Sequence, residues 1–266
     1  MEDLEKISKD IRNDIVDMIY SAGSGHPGGS LSCVEILVAL YHKLMNLNLD
    51  NEGSRIDKFI LSKGHASSCY YAVLSSKGYI PHEDLKTFRK FDSYLEGHPC
   101  IKINGVDVSS GSLGQGLSIA NGMAISKKVS GKEGNVYCLV GDGEIEEGQI
   151  WEAAMASNKY KLDNLCVIVD NNNLQIDGTI EEVMSSYPIE EKFRSFGFQI
   201  ININGHDIEE IIKAFDVAKN IKEKPTCIIA KTIKGKGISF MENQVGWHGK
   251  APNEEQYIQA MKELET

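Results

Sequence analysis

The sequence lacks two kinds of segment and is short of positive charge. Among its 266 residues no hydrophobic run approaches the length of a transmembrane helix, and no apolar secretory stretch follows the charged N-terminus. Only 28 Lys and Arg residues stand against 38 Asp and Glu, so the formal net charge is −10. This charge argues against nucleic acid or an anionic membrane as a partner. It also means that an anionic ligand needs a metal ion or local hydrogen-bond donors to bind here.

Paired cysteine motifs are also missing. The six cysteines, at positions 33, 69, 100, 138, 166 and 227, are scattered without any CxxC spacing. Cys138 and Cys166 fall within predicted strands, where a thiol usually serves as a small core residue. We therefore expect reduced cysteines and a cytoplasmic location.

Several common site motifs are absent as well. There is no GxxxxGK[ST] P-loop, no GxGxxG after a predicted strand, no HExxH zinc motif and no GxSxG nucleophile elbow. An EF-hand loop that began at Asp142 would need glycine where Glu147 stands. The sequence thus argues against each of these site types.

The clearest structural signal is a βαβ pattern in the middle of the chain. Residues 136–140 and 165–169 are short runs rich in β-branched residues, typical of buried parallel strands, and residues 148–161 between them have helical spacing. We predict an α/β fold with an open, mostly parallel central sheet and helices on both faces. The 41% hydrophobic content is ample for a core, and no repeat or low-complexity linker divides the chain. Residues 1–266 are therefore expected to form one domain.

Periodicity and turn residues place the remaining elements. Helices are predicted over 2–20, 66–77, 83–91, 189–196 and 208–219, from residue 116 onward, at the C-terminus, and after a cap at Ser30 or Ser32. Strands are predicted at 57–61, 198–203 and 226–230. Residues 21–29 are predicted to be loop, and residues 231–252 a long functional loop or a mobile segment. The lysines of that segment are interpreted as solvated: Lys231, Lys234 and Lys236.

Two polar residues follow the two central strands. Asp142 and Asn172 each lie just past a strand end, at the carboxyl edge where open α/β sheets bind ligands. Two oxygen donors there can share one small cation, and Gly143 allows backbone to approach a ligand closely. Three glutamates that crowd the next helix start would repel a bare phosphate, which favours a Mg²⁺ ion between them and a diphosphate. Taken alone, the Gly-Asp-Gly sequence is equally compatible with an ordinary turn after a strand.

Histidines form a second group of candidates. Four of the seven lie in glycine-containing loops: His26, His65, His98 and His248. A lone loop histidine is more often a solvated surface residue, but rigid Gly and Pro contexts fix where an imidazole points. Such residues suit hydrogen bonding to sugar hydroxyls and proton transfer near neutral pH. The other three are interpreted as structural: His42, His82 and His206.

In their order along the chain, these motifs resemble the N-terminal half of the transketolase family. The matching segments are SGHPGGSLS (24–32), LSKGHAS (61–67), EGHP (96–99), GSLGQG (111–116), GDGEIEEGQIWEA (141–153), VDNNNLQIDG (169–178), KTIKGKG (231–237) and GWHGKAP (246–252). The resemblance implies the thiamine-diphosphate-binding fold, known as the PP domain.

The resemblance also implies a cofactor site. Its metal, Mg²⁺ with Ca²⁺ or Mn²⁺ as substitutes, would be held by Asp142, Asn172 and the carbonyl of Leu174. Contacts to thiamine diphosphate are implied for a further set: His65, Gly111, Leu113, Gly141, Gly143, Glu147 and His248. Within that set Leu113 and its flanking glycines would lie near the thiazolium ring. Glu147 and Glu152 match acidic residues near the family's dimer interface, which gives Glu147 a second interpretation as a link between sites.

Catalytic roles are implied for the four loop histidines. His26 and His248 would transfer the proton of the substrate hydroxyl that becomes an aldehyde, while His65 and His98 would orient oxygens. The expected reaction moves a two-carbon ketol unit from a ketose phosphate to an aldose phosphate.

A full-length transketolase continues into pyrimidine-binding and C-terminal domains. The resemblance therefore implies a split enzyme that is inactive without a separate C-terminal subunit, assembled as an α2β2 heterotetramer of the pentose phosphate pathway. Two alternatives remain at this point. One is another thiamine-diphosphate enzyme, such as a dihydroxyacetone synthase or a deoxyxylulose-phosphate synthase-like protein, and the other is a non-catalytic cofactor-binding subunit.

Overall fold

A five-stranded parallel sheet forms the centre of the computed structural model, which describes residues 3–265. Its strands are β1 (Lys58–Leu61), β2 (Val136–Gly141), β3 (Leu165–Asn171), β4 (Gln199–Asn204) and β5 (Thr226–Lys231). They lie in the order β1-β2-β3-β5-β4, each parallel to its neighbours. The register pairs Gly141 with Asp170 and Asn171 with Lys231, so the carboxyl ends of β2, β3 and β5 meet at one edge. The predicted α/β class is confirmed.

Ten α-helices surround the sheet in the described range. They are α1 (Leu4–Ala22), α2 (Pro27–Leu31), α3 (Val34–Ala39), α4 (Ser67–Ser76), α5 (Gly116–Ser130), α6 (Gly148–Lys159), α7 (Ile180–Val183), α8 (Ile189–Ser195), α9 (Ile208–Asn220) and α10 (Glu254–Glu265). Short 3-10 turns lie at Gly64–Ala66, His82–Thr87, Glu144–Glu146 and Val245–Trp247, and a π-helical turn at Leu40–Leu44 continues α3. No helix within residues 3–265 is long and apolar enough to cross a membrane.

Both faces of the sheet are covered, because successive residues of a strand point to opposite sides. In β2, Tyr137 and Leu139 pack into the core formed with α1, α3, α4, α9 and α10. Cys138 and Val140 pack into the opposite core, formed with α5, α6 and α8. This explains why the central strands are uninterrupted apolar runs, and it confirms helices on both faces.

The segment before α3 differs from its prediction. Residues 27–31 are helical rather than loop, since Pro27 occupies the first helical turn, where its fixed φ and missing N–H are tolerated. Neither predicted serine caps a helix. The residues at the N-cap positions of α2 and α3 are His26 and Cys33, whereas Ser30 and Ser32 are fully buried. The Ser32 hydroxyl instead donates to Asp170 Oδ2 at 2.5 Å.

The segment 231–252 contains little regular structure, as predicted, but it is not a solvated strap. Ile238, Met241 and Trp247 are buried in the core beside α1 and α10. Lys231 is exposed, but Lys234 is only 2% exposed. The prediction that Lys234 is solvated is therefore wrong, because its aliphatic stem and ammonium group turn into the interior.

Candidate active site

A cavity of about 230 Å³ opens at the carboxyl edge of β2 and β3. Asp142 follows β2 directly, and Asn172 follows β3, so the topology alone brings both to this edge. The remaining walls come from loops that are distant in sequence. Its lining consists of His26, Gly29, Lys63, His65, Gly111, Leu113, Gly141, Asp142, Gly143, Glu144, Asp170, Asn172, Leu174, Gln175, Ile176, Lys234 and His248.

Asp142 is a buried carboxylate held by backbone donors. Its Oδ1 accepts from the N–H of Gly143 at 3.0 Å, and its Oδ2 accepts from the N–H of Asn173 at 2.5 Å. Burial, and next the negative charge of Asp170, raise the pKa of Asp142 to about 7 against an ordinary value of 3.8. A carboxylate in this position is stabilised by a cation, because burial penalises its charged form.

A second carboxylate lies behind the first. Asp170 is fully buried, and its Oδ2 accepts from Lys63 Nζ at 2.6 Å while Oδ1 accepts from the hydroxyl of Thr232. Burial by itself would raise the pKa of Asp170, but the ammonium of Lys63 and these hydrogen bonds hold it below its ordinary value. Asp170 is thus a charged anchor that is already paired.

Asp170 also orients Asn172. The Asn172 amide nitrogen donates to Asp170 Oδ2 at 3.2 Å, which fixes the opposite amide atom, Oδ1, as the free acceptor. That oxygen accepts from the N–H of Leu174 at 3.2 Å. The Leu174 carbonyl in turn accepts from Lys234 Nζ at 3.0 Å, so it already faces a cation.

The oxygens of Asp142, Asn172 and Leu174 therefore line one cavity as a carboxylate, an amide and a carbonyl. Such a donor set suits a hard divalent cation that completes its coordination with ligand phosphates and water. Within residues 3–265 there is no cluster of three or more His, Cys, Asp or Glu side chains in metal-binding geometry. A site built on one carboxylate and two neutral oxygens contains no such cluster.

Three imidazoles form the other half of the cavity. Ring centroids are 5.2 Å apart for His26 and His65, 5.5 Å for His26 and His248, and 5.2 Å for His65 and His248. Burial, and then the positive charges around the cavity, lower the pKa of His26 to about 4 and that of His248 to about 3. The pKa of His65 is lowered well below its ordinary value by the same causes. The three rings are consequently neutral at physiological pH.

Lys234 joins the two halves of the cavity. Its Nζ contacts His248 Nδ1 at 2.7 Å as well as the Leu174 carbonyl, and burial lowers its pKa to about 8. A lysine amine has no acceptor while it is charged, so His248 accepts at Nδ1 and carries its proton on Nε2.

Glu144 fixes the glycine-rich loop that precedes α5. Its Oε1 accepts from the N–H of Gly114 at 2.9 Å, its Oε2 from that of Gly141 at 3.0 Å, and it also bonds the Ser62 hydroxyl. Gly114 has φ +80° and lies against Glu147, so a side chain there would be strained and would collide. The loop thereby presents Leu113, which is 37% exposed, to the cavity.

A larger, more open groove of about 720 Å³ runs beside β4, between Asn171 and Glu210. It contains carboxylates and amides, but it has no histidine and no buried charged group. The smaller cavity is the better candidate, since its buried ionisable groups have shifted pKa values.

Comparison with known proteins agrees with this assignment. The family model for the transketolase thiamine diphosphate binding domain matches residues 4–265. A subunit of the apulose-4-phosphate transketolase of Phocaeicola vulgatus is 43% identical over 99% of this chain and 94% of its own length. The 6-deoxy-6-sulfo-D-fructose transketolase subunit SqwG of a Clostridium species is 42% identical over 99% of this chain and 96% of its own.

The chain belongs to the transketolase family.

The predicted resemblance and enzyme class are thus confirmed, and the chain is the cofactor-binding portion of a transketolase. Human transketolase is 41% identical over 94% of this chain, but the match covers only 40% of its own length. The transketolase structure from Campylobacter jejuni superimposes with a TM-score of 0.91 at 37% identity, over 98% of this chain and 42% of the other. Relatives thus include both separate subunits and proteins of more than twice this length.

Ten of the twelve site residues predicted from the sequence line this transketolase cavity. The two others lie outside its lining. The side chain of Glu147 is exposed at the start of α6, and His98 is exposed, with its ring beside Gly111. Their roles stay predictions.

Four charged lining residues were not among the predicted site residues: Lys63, Glu144, Asp170 and Lys234. Glu144 and Asp170 lie within two positions of predicted ligands in the sequence, and this proximity is the signal that could have identified them. Lys63 and Lys234 gave none, because a lysine in a glycine-rich loop is ordinarily solvated.

Proposed function

We propose that this chain is the cofactor-binding subunit of a split transketolase. With a separate C-terminal subunit it transfers a two-carbon ketol unit from a ketose phosphate to an aldose phosphate. The observation that carries the proposal is one cavity in which the oxygens of Asp142, Asn172 and Leu174 face a cluster of three neutral imidazoles. A cation site next to uncharged hydrogen-bonding rings suits a diphosphate cofactor and a polyhydroxylated substrate.

Asp142, Asn172 and the Leu174 carbonyl hold the metal, Mg²⁺ with Ca²⁺ or Mn²⁺ as substitutes. Gly141, Gly143, His65 and His248 contact the diphosphate, and Gly111 and Leu113 lie against the thiazolium ring, with Glu147 nearby. The cavity supports this arrangement with two lysines, Lys63 and Lys234, which offset negative charge in a chain of net charge −10. When bound, thiamine diphosphate supplies the carbanion that attacks the ketose carbonyl.

The chain's own residues bind and orient the sugar. His26 and His248 contact the substrate hydroxyl that becomes an aldehyde and exchange its proton, while His65 and His98 orient neighbouring oxygens. Low pKa values support this role for His26 and His248, because neutral rings hydrogen-bond hydroxyls without attracting a second anion into the site. The buried cores on both sides of the sheet keep these loops in fixed positions.

We further propose a single domain over residues 1–266, assembly with the C-terminal subunit as an α2β2 heterotetramer, and a contact role for Glu147 and Glu152 between sites. A cytoplasmic location accords with six unpaired cysteines. The pentose phosphate pathway is the proposed context.

The test is co-expression with a C-terminal transketolase chain from the same source. We expect ketol transfer from xylulose 5-phosphate to ribose 5-phosphate only in the mixture, with Mg²⁺ and thiamine diphosphate present. Apulose 4-phosphate and 6-deoxy-6-sulfo-D-fructose belong in the donor panel, because two relatives carry those names. Asp142→Ala is the matched inactive control.

Three results would contradict the proposal. Activity of the isolated chain would exclude a shared site, and turnover of pyruvate in place of the ketose would indicate another thiamine-diphosphate enzyme. Cofactor binding without activity, across the donor panel and with the C-terminal chain bound, would indicate a non-catalytic subunit.

A further inference from the structure

Arg89 reaches the histidine cluster from a loop that contributes nothing else to the cavity. Its Nη2 lies 3.4 Å from Nδ1 of His26, and its Nη1 donates to the Ser24 hydroxyl at 3.0 Å. Arg89 is not a lining residue of the cavity, so it touches the site through His26. The guanidinium therefore engages one nitrogen of the ring from outside the cavity lining.

Several features of the loop hold Arg89 in this place. Its backbone adopts φ +57°, an uncommon left-handed conformation, while its N–H donates to the Leu95 carbonyl at 2.9 Å. The guanidinium packs over the Phe88 ring at 5.6 Å, and Nη2 also donates to the Gly97 carbonyl at 3.5 Å. A side chain at Gly97 would come within 2.7 Å of Cζ and Nη2, so glycine is required for Arg89 to lie there.

The hydrogen bond between Arg89 and His26 has only one direction. A guanidinium donates and never accepts, and it does not lose its proton in proteins. Nδ1 of His26 must therefore be the unprotonated acceptor, and the ring proton of the neutral form must lie on Nε2. That edge of the ring approaches Gly249, whose built side chain would lie 3.5 Å from Nε2, beside His248.

We propose that Arg89 is a positioning residue that holds His26 in its Nε2–H tautomer and directs that N–H toward the substrate. Its effect on the reaction rests on the proposed function, whereas the tautomer itself does not. The assignment narrows the role of His26. A ring whose Nδ1 is occupied by a guanidinium enters the reaction as a hydrogen-bond donor to a sugar oxygen and does not take up the hydroxyl proton.

The charges around His26 favour the same neutral form. Besides Arg89, the titratable groups that face it are His65, His98, His248 and Lys234. Burial first, and then Arg89, His98 and Lys234, oppose a positive charge on the ring. A second proton on Nδ1 would in addition set two donors against each other at 3.4 Å.

The tautomer is read directly by two-bond ¹H–¹⁵N spectra of the chain labelled with ¹⁵N-histidine at about pH 7.5, where the ring is neutral. Disappearance of one signal set in His26→Gln identifies its resonances. We expect an unprotonated Nδ1 and a protonated Nε2 in the wild type. In Arg89→Met, which removes the donor, we expect a mixture of both tautomers.

Two variants separate positioning from simple packing. Gly97→Ala leaves Arg89 in the chain but pushes its guanidinium away from His26, so it should reproduce the mixed tautomers. Lys90→Met removes the neighbouring exposed cation and should retain the wild-type tautomer. In the complex with the C-terminal subunit, Arg89→Met should lower kcat about 10- to 100-fold, as loss of a partner that orients a functional histidine does elsewhere. Arg89→Lys should partly restore kcat, and thiamine diphosphate affinity should stay unchanged in each variant.

A protonated Nδ1 on His26 in the wild type would overturn the proposal. So would a pure Nε2–H tautomer in Arg89→Met, even if that variant were less active, since its defect would then be structural. If the complex of wild-type subunits shows no ketol transfer while the tautomer responds as expected, the proposed function fails and the positioning role stands.

Discussion

The carboxylate of Asp170 and the ammonium of Lys63 lie 2.6 Å apart, with both side chains almost wholly withdrawn from solvent. Lys63 Nζ also donates to the Gly29 carbonyl at 2.6 Å, so the pair connects β3 to the loop after β1 and to α2. Burial alone would lower the pKa of Lys63, but the Asp170 charge raises it above its ordinary value. Each ion keeps the other charged.

Replacing one member of this pair should destabilise the fold strongly. We expect Asp170→Asn to lower the free energy of unfolding by about 3–5 kcal/mol, because the Lys63 charge stays buried without its partner. Urea denaturation of the cofactor-free chain measures this. Glu223→Gln, which breaks the exposed pair between Glu223 and Lys161, is the control and should have no measurable effect. Equal stability of Asp170→Asn and wild type would mean that the ion pair does not hold these segments together.

Asp142 should link cofactor binding to pH. Its pKa is raised to about 7, so between an unfolded-state value of 3.8 and 7 the folded chain binds a proton that the unfolded chain has lost. Its contribution to stability is therefore full below pH 3.8 and is lost as pH rises through 7. Since metal ligands must be deprotonated, Mg²⁺ and thiamine diphosphate should raise the Tm more at about pH 8 than at about pH 6.

Asp142→Asn should separate these effects. We expect the variant to be at least as stable as wild type without ligand at about pH 8, because no buried charge remains unpaired. It should lose the stabilisation of about 2.7 kcal/mol that a ligand at 100 times its Kd provides. Thermal shift and calorimetric titration measure the two properties. Unchanged Mg²⁺-dependent affinity would count against Asp142 as a metal ligand.

The histidine cluster should make the chain sensitive to mild acid. The pKa values of His26 and His248 fall from 6.5 to about 4 and about 3, so between these limits the unfolded chain binds protons that the folded chain does not. Stability should be independent of these rings above pH 6.5 and should fall as pH drops below it.

Urea midpoints at about pH 7.5 and about pH 5 test this dependence. The double variant His26→Gln/His248→Gln should lose less stability between the two pH values than wild type. His82→Gln, which removes an exposed histidine outside the cavity, is the control. If the double variant is as acid-sensitive as wild type, the cluster does not account for the effect.

Glu144 should matter for the glycine-rich loop although it is not a predicted ligand. Glu144→Gln replaces one acceptor oxygen by an N–H2 group facing a donor, either the backbone of Gly114 or that of Gly141. We expect a loss of about 1–3 kcal/mol in unfolding free energy and weaker binding of thiamine diphosphate as Leu113 shifts. Glu255→Gln on α10, whose side chain is exposed, is the matched control. Unchanged cofactor affinity with reduced stability would show that the loop position does not depend on Glu144.

The parts of the site that follow directly after strands could be predicted from sequence. The apolar runs of β2 and β3 identify buried parallel strands, and parallel strands end at a common edge, so the proximity of Asp142 and Asn172 follows. The histidine cluster needed the family resemblance, since no local pattern says that His26 and His248 meet.

Other parts depend on contacts that leave no local trace. Lys63 and Asp170 are 107 residues apart, and the burial of Lys63 is favourable only because of that partner. Helix α2 contains two glycines and a proline, so its propensity is poor, and packing against α1 and α4 decides its conformation. Arg89 reaches His26 through a left-handed residue that is not glycine, which sequence patterns do not indicate.

The cavity draws its walls from nearly the whole chain, from His26 near one end to His248 near the other. The contact between these two rings closes a loop that encloses all five strands. A ligand in the cavity can therefore bind only after every segment of the sheet is in place, and its binding energy stabilises the chain as one cooperative unit. Thiamine diphosphate would then act as a late assembly step, which a partially folded intermediate or a nicked chain could not bypass.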